Sequence, residues 1–519
     1  MTVRSPFPDV SIPEVSLSDF VLETAADLGD RPALIDGPSG RTITYGQLAG
    51  AVHSVAAGLV ERGFGKGDVF AIFSPNLPEY AIAFHAVASL GGITTTANPL
   101  YTVDELTFQL KDSGAKFLLT VPPFLATAAD AAGRAGLAEV FVFGEAGGAT
   151  PFSSLMSSGA PPQAEIDPHN DLVVLPYSSG TTGYPKGVML THNNLVANVC
   201  QMNAVAPVGE SDTLIGVLPF FHIYGMTVIM NAAIRRGATI VTMPRFDLEQ
   251  FLKVIQDYKV TRAHLVPPIV LALAKHPIVD KFDLSSLKHI TSGAAPLSGD
   301  LSEDCADRID CQVVQGYGLT ETSPVTHVVA DELANKPGSI GPPIPNTECV
   351  VVDTATGAES GSGDLGEVWI RGPQVMRGYL NNEAATAATI DDDGWLHTGD
   401  IGYADGDGYF FLVDRLKELI KYKGFQVAPA ELEALLVAHP EVADAAVIGR
   451  PDAEAGEIPK AFIVKRGEVS EDEIVAFVAD RVAPQKKVRA VEFVDQIPKS
   501  PSGKILRRVL KERETPIGG

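Results

Sequence analysis

The sequence is poor in cysteine and has no long apolar run, and both shortages exclude classes of protein. Only four of its 519 residues are cysteine, and no two of them stand in a Cys-x-x-Cys spacing. That spacing accompanies zinc sites and redox pairs, so we expect these cysteines to act as small buried hydrophobic residues in a reducing compartment. Because no run reaches about 18 apolar residues, we expect no membrane-spanning helix.

Known targeting signals are also missing from the two ends of the sequence. Residues 1–14 show no basic segment followed by an apolar one, and the final residues do not read Ser-Lys-Leu. The first pattern is typical of a secretory leader and the second of a peroxisomal address. We therefore expect a cytoplasmic protein.

The overall composition is typical of a soluble protein with more than one domain. Hydrophobic residues make up 45% and charged residues 20% of the chain, which is too long for a single core. The net charge of −24 disfavours nucleic acid or an anionic membrane as the main partner. An anionic small ligand would need a locally positive pocket.

One segment, Ser178–Gly187, combines three glycines, four Ser/Thr hydroxyls and Lys186 between two apolar runs. Glycines let backbone N–H groups converge on an anion, and the hydroxyls and the lysine add further donors. In a Walker A loop the lysine precedes Ser or Thr at the start of a helix, whereas here Gly187 and a strand pattern follow. The segment predicts a phosphate-binding loop of another kind, with an ordinary flexible turn as the alternative.

This segment resembles the phosphate loop of the acyl-adenylate-forming superfamily, which includes acyl-CoA synthetases, peptide-synthetase adenylation domains and beetle luciferases. The similarity extends over nearly the whole chain and is greatest to the 4-coumarate:CoA ligase group. By this resemblance the loop residues hold the phosphates of ATP. These residues are Ser178, Ser179, Gly180, Thr181, Thr182 and Lys186.

The rest of the chain alternates between strand and helix patterns. Val69–Phe73 is typical of a buried strand, and Thr44 and Asp247 are each predicted to cap a helix. This alternation predicts parallel sheets covered by helices. From Gly338 to about Val413 the strands are short and the turns frequent, which predicts a small β-rich subdomain.

The last hundred residues form a separate pattern, with a capping box at Ser470 and Glu473. We therefore expect an α/β protein: a large N-terminal domain of parallel-sheet α/β subdomains plus a small β-rich subdomain, and a small mobile C-terminal α+β domain. The predicted boundaries are 1–414 for the adenylate-forming (AMP-binding) domain, 415–417 for a hinge and 418–519 for the mobile domain.

Two further motifs carry nucleotide contacts by resemblance. In the segment Gln315–Glu321, Gln315 and Gly316 would lie along the nucleotide, Thr320 would bond the α-phosphate and Glu321 would bind Mg²⁺. In the segment Trp395–Asp400, Asp400 would accept both ribose hydroxyls. Arg415 would be its partner. Lys417, at the hinge position, would also contact the nucleotide.

The C-terminal part contains two sets of functional residues by resemblance. Lys504 matches the lysine that reaches the carboxylate and α-phosphate during adenylation. A second set lies in the segment Glu418–Val427, where one lysine and the glutamine would touch the acyl-adenylate and the Lys-Gly pair would touch CoA. These residues are Lys421, Gln426, Lys423 and Gly424. Two sets on one small domain imply two poses, one for each half-reaction.

The acyl pocket is predicted by the same resemblance. His222 would border the carboxylate and gate the thiol, and Arg245 would replace a lysine that meets the phosphates of CoA. The expected pocket residues are His222, Tyr224, Val228, Ala294, Gly316, Pro324 and Val325.

The chain departs from the plant ligases in three places. Val228 replaces a serine, the pair Thr322-Ser323 replaces Ala-Gly, and Gln485 replaces a tyrosine. The first two leave a less polar pocket open to cinnamate or to a medium-chain fatty acid.

The expected activity is that of an ATP- and Mg²⁺-dependent carboxylate:CoA ligase that acts through an acyl-adenylate. A hydroxycinnamate-type acid such as 4-coumarate or cinnamate is the favoured substrate, and a medium-chain fatty acid is the alternative. A luciferase-like oxidase, a nucleotide-binding regulator that has lost catalysis and a structural scaffold are less favoured. The retention of Lys504, Lys421 and Glu321 disfavours the regulator.

Overall fold

The computed structural model describes residues 2–178, 185–331, 333, 335–452, 454–500 and 503–514. Four residues of the predicted phosphate loop, Ser179, Gly180, Thr181 and Thr182, lie outside the described residues. The strands are β1 (Val3–Arg4), β2 (Pro32–Asp36), β3 (Thr42–Thr44), β4 (Val69–Phe73), β5 (Ile93–Ala97), β6 (Ala115–Thr120), β7 (Glu139–Val142), β8 (Thr150–Pro151), β9 (Leu172–Ser178), β10 (Lys186–Thr191), β11 (Thr213–Gly216), β12 (Thr239–Thr242), β13 (Arg262–Leu265), β14 (His289–Ser292), β15 (Gln312–Gly318), β16 (Val325–Val328), β17 (Glu348–Val352), β18 (Gly366–Arg371), β19 (Gly378–Tyr379), β20 (Leu396–Ala404), β21 (Phe410–Arg415), β22 (Ile420–Tyr422), β23 (Phe425–Val427), β24 (Val442–Asp452), β25 (Gly456–Lys465) and β26 (Ala490–Phe493).

The helices follow the predicted alternation, and their first turns show the predicted caps. The Oγ1 of Thr44 accepts the N–H of Gln47 in a capping box, Asp247 accepts the N–H of Gln250, and Ser470 forms its capping box with Glu473. The α-helices are α1 (Leu17–Leu22), α2 (Ala25–Leu28), α3 (Tyr45–Glu61), α4 (Pro78–Ser89), α5 (Val103–Ser113), α6 (Leu125–Ala135), α7 (His192–Val205), α8 (Ala232–Arg235), α9 (Leu248–Tyr258), α10 (Pro267–Lys275), α11 (Gly299–Ile309), α12 (Glu383–Ala387), α13 (Pro429–Val437), α14 (Glu471–Ala479) and α15 (Arg507–Glu514).

Two mixed sheets of eight strands each, counted over the described residues, make up most of the N-terminal part. Their strand orders are β19-β10-β9-β5-β4-β6-β7-β8 and β16-β15-β14-β13-β11-β12-β2-β3. The central strands are parallel, as predicted, and antiparallel strands lie at the edges, where β10 pairs with β9 and β16 with β15. The phosphate-loop segment therefore joins two neighbouring strands, β9 and β10, of one sheet.

A single large hydrophobic core joins these two sheets. Tyr45 of α3, Phe84 of α4, Phe70 of β4 and Ile240 of β12 are all fully or almost fully buried in it. The strands β4 and β12 belong to different sheets, so the helices between them are covered on both sides. This explains why α4 is apolar around nearly its whole circumference.

The β-rich subdomain is a five-stranded antiparallel sheet among the described residues, in the order β1-β17-β18-β20-β21. Its own core contains Val351, Ile370 and Phe410. The N-terminal segment contributes its edge strand, because Val3 and Arg4 of β1 pair with β17, and the two short helices α1 and α2 follow along the chain.

The C-terminal part has a core of its own. Its sheet runs β23-β22-β25-β24, and β26 pairs with β25 in parallel. Leu432 of α13, Val447 of β24 and Ile474 of α14 are buried together against it. These observations agree with the predicted α+β class of this region, whereas the domain boundaries at 414 and 418 stay predictions.

Two further local features are a π-helix and a short connection. The segment Tyr224–Asn231, which follows His222, is the π-helix. Residues 144–170 connect β7 to β9 and contain β8 and a 3-10 turn that buries Phe152 and Leu155. In the part of the chain that the structure describes, every helix is too short or too polar to span a bilayer.

Candidate active site

The site residues lie where strands of the two large sheets end. In β13, β14 and β15 the strands are parallel, so their carboxyl ends lie at the same edge. The loops that leave this edge carry the predicted residues Ala294, Thr320 and Glu321. Open α/β sheets bind ligands at this kind of edge, because loops from several strands converge there.

The two described ends of the phosphate loop meet the Mg²⁺-binding candidate. Ser178 at the end of β9 lies opposite Lys186 at the start of β10. Ser178 Oγ donates a hydrogen bond of 3.0 Å to Glu321 Oε1, and Tyr379 OH donates one of 2.8 Å to the same oxygen. Lys186 Nζ lies 4.0 Å from the centre of the Tyr379 ring. The fold therefore brings together a cation, a carboxylate and a hydroxyl from three distant segments.

The segment Gln315–Glu321 is held tightly along its length. The side chain of Gln315 accepts the backbone N–H of Leu297 at 2.8 Å. A Cβ atom on Gly318 would lie 2.0 Å from the carbonyl oxygen of Pro324, so only glycine fits there. Gly316 has more room, since its nearest neighbours would be 3.5 Å or more from an added Cβ. Thr320 begins a short 3-10 turn, Thr320–Thr322.

Asp400 is the centre of a three-residue network. Its Oδ1 pairs with Arg415 Nε at 3.0 Å across β20 and β21, and its Oδ2 accepts a hydrogen bond from Tyr317 OH. The Asp400 side chain is only 8% exposed, so both partners fix the carboxylate. The negative charge of Asp400 raises the pKa of Arg415 above its ordinary value, which keeps this guanidinium charged.

Lys504 lies beside this network, although it comes from the C-terminal part. Desolvation and the nearby Arg415 lower the pKa of Lys504 from 10.5 to about 8, while Asp400 acts in the opposite direction. The lysine follows a tight hairpin in which Ser500 N–H donates to the Lys504 carbonyl and Gly503 N–H donates to the Ser500 carbonyl, both at 2.8 Å. The ammonium is thus held among the residues expected to bind nucleotide.

His222 lies near the same lysine. Burial and then the charge of Lys504 lower the pKa of His222 from 6.5 to about 4, so the imidazole is neutral at pH 7. Its Nδ1 accepts the backbone N–H of Tyr224 at 3.3 Å. A neutral ring with one nitrogen so occupied can offer its other nitrogen to a ligand without adding charge.

Tyr224 brings a hydroxyl group to an apolar wall. Its ring packs against a cluster that contains Val228 and Val325. Its hydroxyl donates to the carbonyl oxygen of Thr291 at 3.2 Å and lies 3.4 Å from His264 Nδ1. A Cβ atom on Gly293 would lie 2.8 Å from the Tyr224 ring, so this glycine lets the ring approach the loop after β14.

The same loop and the next one contain residues in the left-handed region. Ala294 has a φ of 67° and Ser323 a φ of 68°, an uncommon backbone conformation for residues other than glycine. Thr322 is buried and accepts the N–H of Leu319, so this departure from the plant ligases stabilises the turn before Pro324. The hydroxyl of Ser323 is buried and has no hydrogen-bond partner among the described residues.

The structure does not bring the second C-terminal set into this group. Lys421, Lys423, Gly424 and Gln426 are exposed on or between β22 and β23. The recorded backbone partners of the two lysines lie in the same C-terminal part: Lys421 N–H donates to Glu457 at 2.7 Å and Lys423 N–H to Ala455 at 2.8 Å. Arg245, after β12, and Lys417, in the turn after β21, are also exposed.

The residues present fit a magnesium ion that is bound mainly by nucleotide phosphates. No group of three or more His, Cys, Asp or Glu residues that could hold a metal occurs within the described ranges. Mg²⁺ commonly uses one or two carboxylates together with phosphates and water. Both described hydrogen bonds that the Glu321 side chain accepts go to Oε1, so this carboxylate has the donor chemistry for such a role.

Several residues of the site were not assigned a role from the sequence. Tyr317 contacts Asp400, Tyr379 contacts Glu321 and Lys186, and His264 lies beside Tyr224. His264 stands near the end of a predicted strand, a position where site residues are common. Nothing in the sequence around Tyr379 signals its contacts, because they depend on pairing between β19 and β10.

Comparison with known proteins identifies the family of this chain. Residues 21–380 match the family described as AMP-binding enzyme, and residues 431–504 match its C-terminal domain. The chain therefore belongs to the AMP-binding enzyme family. Its predicted place in the adenylate-forming superfamily is confirmed.

Relatives within this family are similar over nearly their full length. The chain is 46% identical to 4-coumarate--CoA ligase 5 of Oryza sativa subsp. japonica, covering 98% of this chain and 97% of that one. It is 45% identical to 4-coumarate--CoA ligase of Pinus taeda, with the same coverage. The predicted class of enzyme, an AMP-forming acid–CoA ligase, is confirmed.

Solved structures confirm the fold class. ATP-bound MatB from Rhodopseudomonas palustris is 29% identical, with a TM-score of 0.89 over 97% of this chain and all of that one (100%). The anthranilate CoA ligase AuaEII in complex with anthranoyl-AMP is 26% identical, with a TM-score of 0.89 and coverage of 98% of both chains.

Proposed function

We propose that this enzyme activates a hydroxycinnamate-type acid, such as 4-coumarate or cinnamate, and transfers it to CoA. In the first step a carboxylate oxygen attacks the α-phosphorus of ATP and pyrophosphate leaves. In the second step the thiol sulfur of CoA attacks the acyl carbon, the thiol proton is lost and AMP leaves. One observation carries the proposal: Lys504 lies with Asp400, Arg415 and His222, and Arg415 in turn lies near Glu321, which accepts a hydrogen bond from Ser178.

The nucleotide would lie along the edge formed by β9, β15 and β20. Ser178 and Lys186 would contact the β- and γ-phosphates, together with the loop residues Ser179, Gly180, Thr181 and Thr182. Gln315 and Gly316 would border the base and the α-phosphate. Asp400 would accept the ribose hydroxyls, because Tyr317 and Arg415 already fix the direction of its oxygens.

Glu321 is the proposed protein ligand of the magnesium ion that accompanies ATP. When bound, Mg²⁺ supplies positive charge that stabilises the pyrophosphate leaving group. Ser178 and Tyr379 orient the Glu321 carboxylate through Oε1. Lys504, Thr320 and His222 would contact the acyl and α-phosphate groups.

Lys504 would join the substrate carboxylate to the α-phosphate. Both groups are anionic and repel each other, so a cation between them lowers the energy of their approach. Thr320 would donate a hydrogen bond to the α-phosphate. His222, neutral at pH 7, would border the carboxylate and control the path of the thiol.

Thioester formation is proposed to use the β22–β23 hairpin in a second pose. Lys421 and Gln426 would contact the acyl-adenylate, and Lys423 and Gly424 would contact CoA, with Arg245 near its phosphates. The proposed hinge is residues 415–417. The exposed position of the hairpin supports a second pose, because its charged side chains are accessible to a ligand.

The acyl pocket is proposed to lie between the π-helix and the loops after β14 and β15. Tyr224 would present its hydroxyl to a phenol in a wall otherwise formed by Val228, Val325 and Pro324, with Ala294 and Gly316 on the other side. Valine at position 228 makes this wall less polar than a serine would. A medium-chain fatty acid is therefore the alternative substrate, and a cytoplasmic location stays a prediction.

The test is CoA-ester formation with ATP, Mg²⁺ and CoA over 4-coumarate, cinnamate, benzoate, octanoate and an amino acid. Lys504→Ala is expected to abolish turnover, whereas Lys465→Ala, an exposed lysine of the same domain, serves as the matched control. Turnover of octanoate alone would refute the proposed hydroxycinnamate substrate and support the proposed acyl-adenylate mechanism. A wild-type enzyme that binds ATP and forms no thioester from any acid would refute the proposal.

A further inference from the structure

Gly503, next to Lys504, lies directly against the N-terminal part. A Cβ atom added to Gly503 would lie 3.1 Å from Val266 Cγ2 and 3.2 Å from Val266 Cβ, with Pro268 Cδ at 3.7 Å. The first two distances are shorter than ordinary van der Waals contact between carbon atoms. The lysine hairpin therefore touches the loop between β13 and α10 through a bare backbone.

Val266 has little freedom to retreat from this contact. Its side chain is 5% exposed and belongs to the large core. A β-branched side chain has few χ1 rotamers, and Pro267 and Pro268 fix the backbone that follows. Its carbonyl also accepts the N–H of Ile269 at 2.9 Å. An added methyl group at position 503 would therefore move the hairpin and leave Val266 in place.

Hydrogen bonds around Gly503 would carry such a shift to Lys504. Residues Lys499 and Ile505 form an antiparallel bridge, and Leu506 N–H donates to the Pro498 carbonyl at 2.8 Å. Lys504 N–H donates to Ser500 Oγ at 3.1 Å. These bonds tie the lysine backbone to the position of Gly503. Positions 501 and 502 lie outside the described residues.

We propose that Gly503 is a positioning residue for adenylation, because its contact with Val266 sets how far Lys504 enters the site beside Asp400 and Arg415. This inference depends on the proposed function and adds to it a cross-domain contact. Because Gly503 has no side chain, Lys504 can enter the site as far as it does. Thioester formation, which is assigned to the β22–β23 hairpin, does not use this contact.

The experiment measures the two half-reactions separately in wild-type enzyme and in Gly503→Ala. A displacement of the lysine by a fraction of an ångström is expected to slow acyl-adenylate formation by about tenfold or more. Thioester formation from supplied acyl-adenylate is expected to stay within about twofold of wild type, since uncoupled sites act independently. Equal losses in both half-reactions would overturn the inference.

Backbone strain at position 503 needs its own control, because Gly503 has a φ of +79°. Val266→Ala removes the Cγ2 atom at 3.1 Å, keeps the Cβ atom at 3.2 Å and leaves the backbone of residue 503 unchanged, so Val266→Ala/Gly503→Ala should recover part of the adenylation rate that Gly503→Ala loses. Strain would not be relieved by a change in another domain. A double variant no faster than Gly503→Ala would refute the contact.

A second control separates this effect from a general loss of stability. Gly363 has a φ of +83° with no atom near an added Cβ, so Gly363→Ala imposes similar strain far from the contact. It is expected to leave both half-reactions unchanged, and a selective loss of adenylation in this variant would overturn the assignment to position 503. Failure of the proposed function is distinct, because wild-type enzyme would then form no acyl-adenylate from any acid of the panel.

Discussion

A buried ion pair next to the lysine hairpin offers a quantitative test of the C-terminal structure. Arg507 Nη2 lies 2.6 Å from Glu433 Oε2, and Arg507 Nε lies 3.3 Å from Oε1. The two side chains are only 13% and 11% exposed. Glu433 Oε1 also accepts the N–H of Val447 at 2.8 Å. Three segments, α13, β24 and the start of α15, are therefore joined by one carboxylate.

The variants Glu433→Gln and Arg507→Met are each expected to lower the free energy of unfolding by about 3 kcal/mol, because each leaves one buried charge without its partner. The double variant Glu433→Gln/Arg507→Met removes both charges of the pair, and its glutamine oxygen can still accept the N–H of Val447. It is expected to lose only about 1 kcal/mol, so the coupling energy of the cycle is roughly 5 kcal/mol.

The pH dependence of Arg507→Met follows from the same pair. Burial raises the pKa of Glu433 above its ordinary value, and Arg507 opposes this rise. Without the arginine the folded-state pKa rises further above that of the unfolded chain. Protonation then stabilises the fold at low pH, and this stability is lost as the pH rises through the folded-state pKa. The destabilisation should be smaller at pH 5 than at pH 8.

Hydrogen exchange is the suitable assay for these variants. Both tryptophans, Trp369 and Trp395, lie outside the C-terminal part, so their fluorescence does not report its unfolding directly. Exchange of amides in β24 and β25 measures the local free energy of opening. If the loss of unfolding free energy in the double variant equals the sum of the two single losses to within about 0.5 kcal/mol, Glu433 and Arg507 are not coupled and the prediction is wrong.

Three further predictions concern catalysis. Since the pKa of Lys504 in the free enzyme is about 8, kcat/KM for adenylation should fall as the pH rises through 8, and a flat profile to pH 9.5 would contradict a role for the charged lysine. Tyr317→Phe removes one of the two bonds that orient Asp400 and should raise KM for ATP by about fivefold, measured by pyrophosphate exchange, with little change in KM for the acid. Lys417→Pro fixes φ in the proposed hinge and should leave adenylate formation largely intact while it cripples CoA transfer; equal loss of both half-reactions would refute the hinge.

Much of the fold could be predicted from local sequence patterns. The buried strand Val69–Phe73 has the predicted bounds, and Thr44 caps its helix as expected. Such elements are specified by short apolar runs and by caps, which are visible in one window of sequence. The pairing of Val3 and Arg4 with β17 could not be predicted, because two residues carry no periodicity and their partners lie more than 300 residues away.

The candidate site was predictable only where a motif contains the residue. The grouping of Lys504 with Asp400 was expected by resemblance, and the structure places both beside Arg415. Tyr379 could not be found in this way, because its value to the site comes from a hydrogen bond to Glu321 across 58 residues. From sequence alone an aromatic residue such as Tyr379 is usually assigned to the hydrophobic core. Only the fold shows that its hydroxyl faces a carboxylate.

The charges of the site explain how a strongly acidic chain can bind an anionic nucleotide. Lys186, Arg415 and Lys504 lie near Glu321 and Asp400, so the site offers cations to an anionic ligand although the net charge of the chain is −24. Arg415 has Asp400 as a direct partner and stays charged, whereas burial and then the charge of Arg415 lower the pKa of Lys504. An α-phosphate and a carboxylate beside Lys504 would raise that pKa again. By linkage, substrates therefore bind more tightly to the protonated lysine, and their arrival charges the group that adenylation needs.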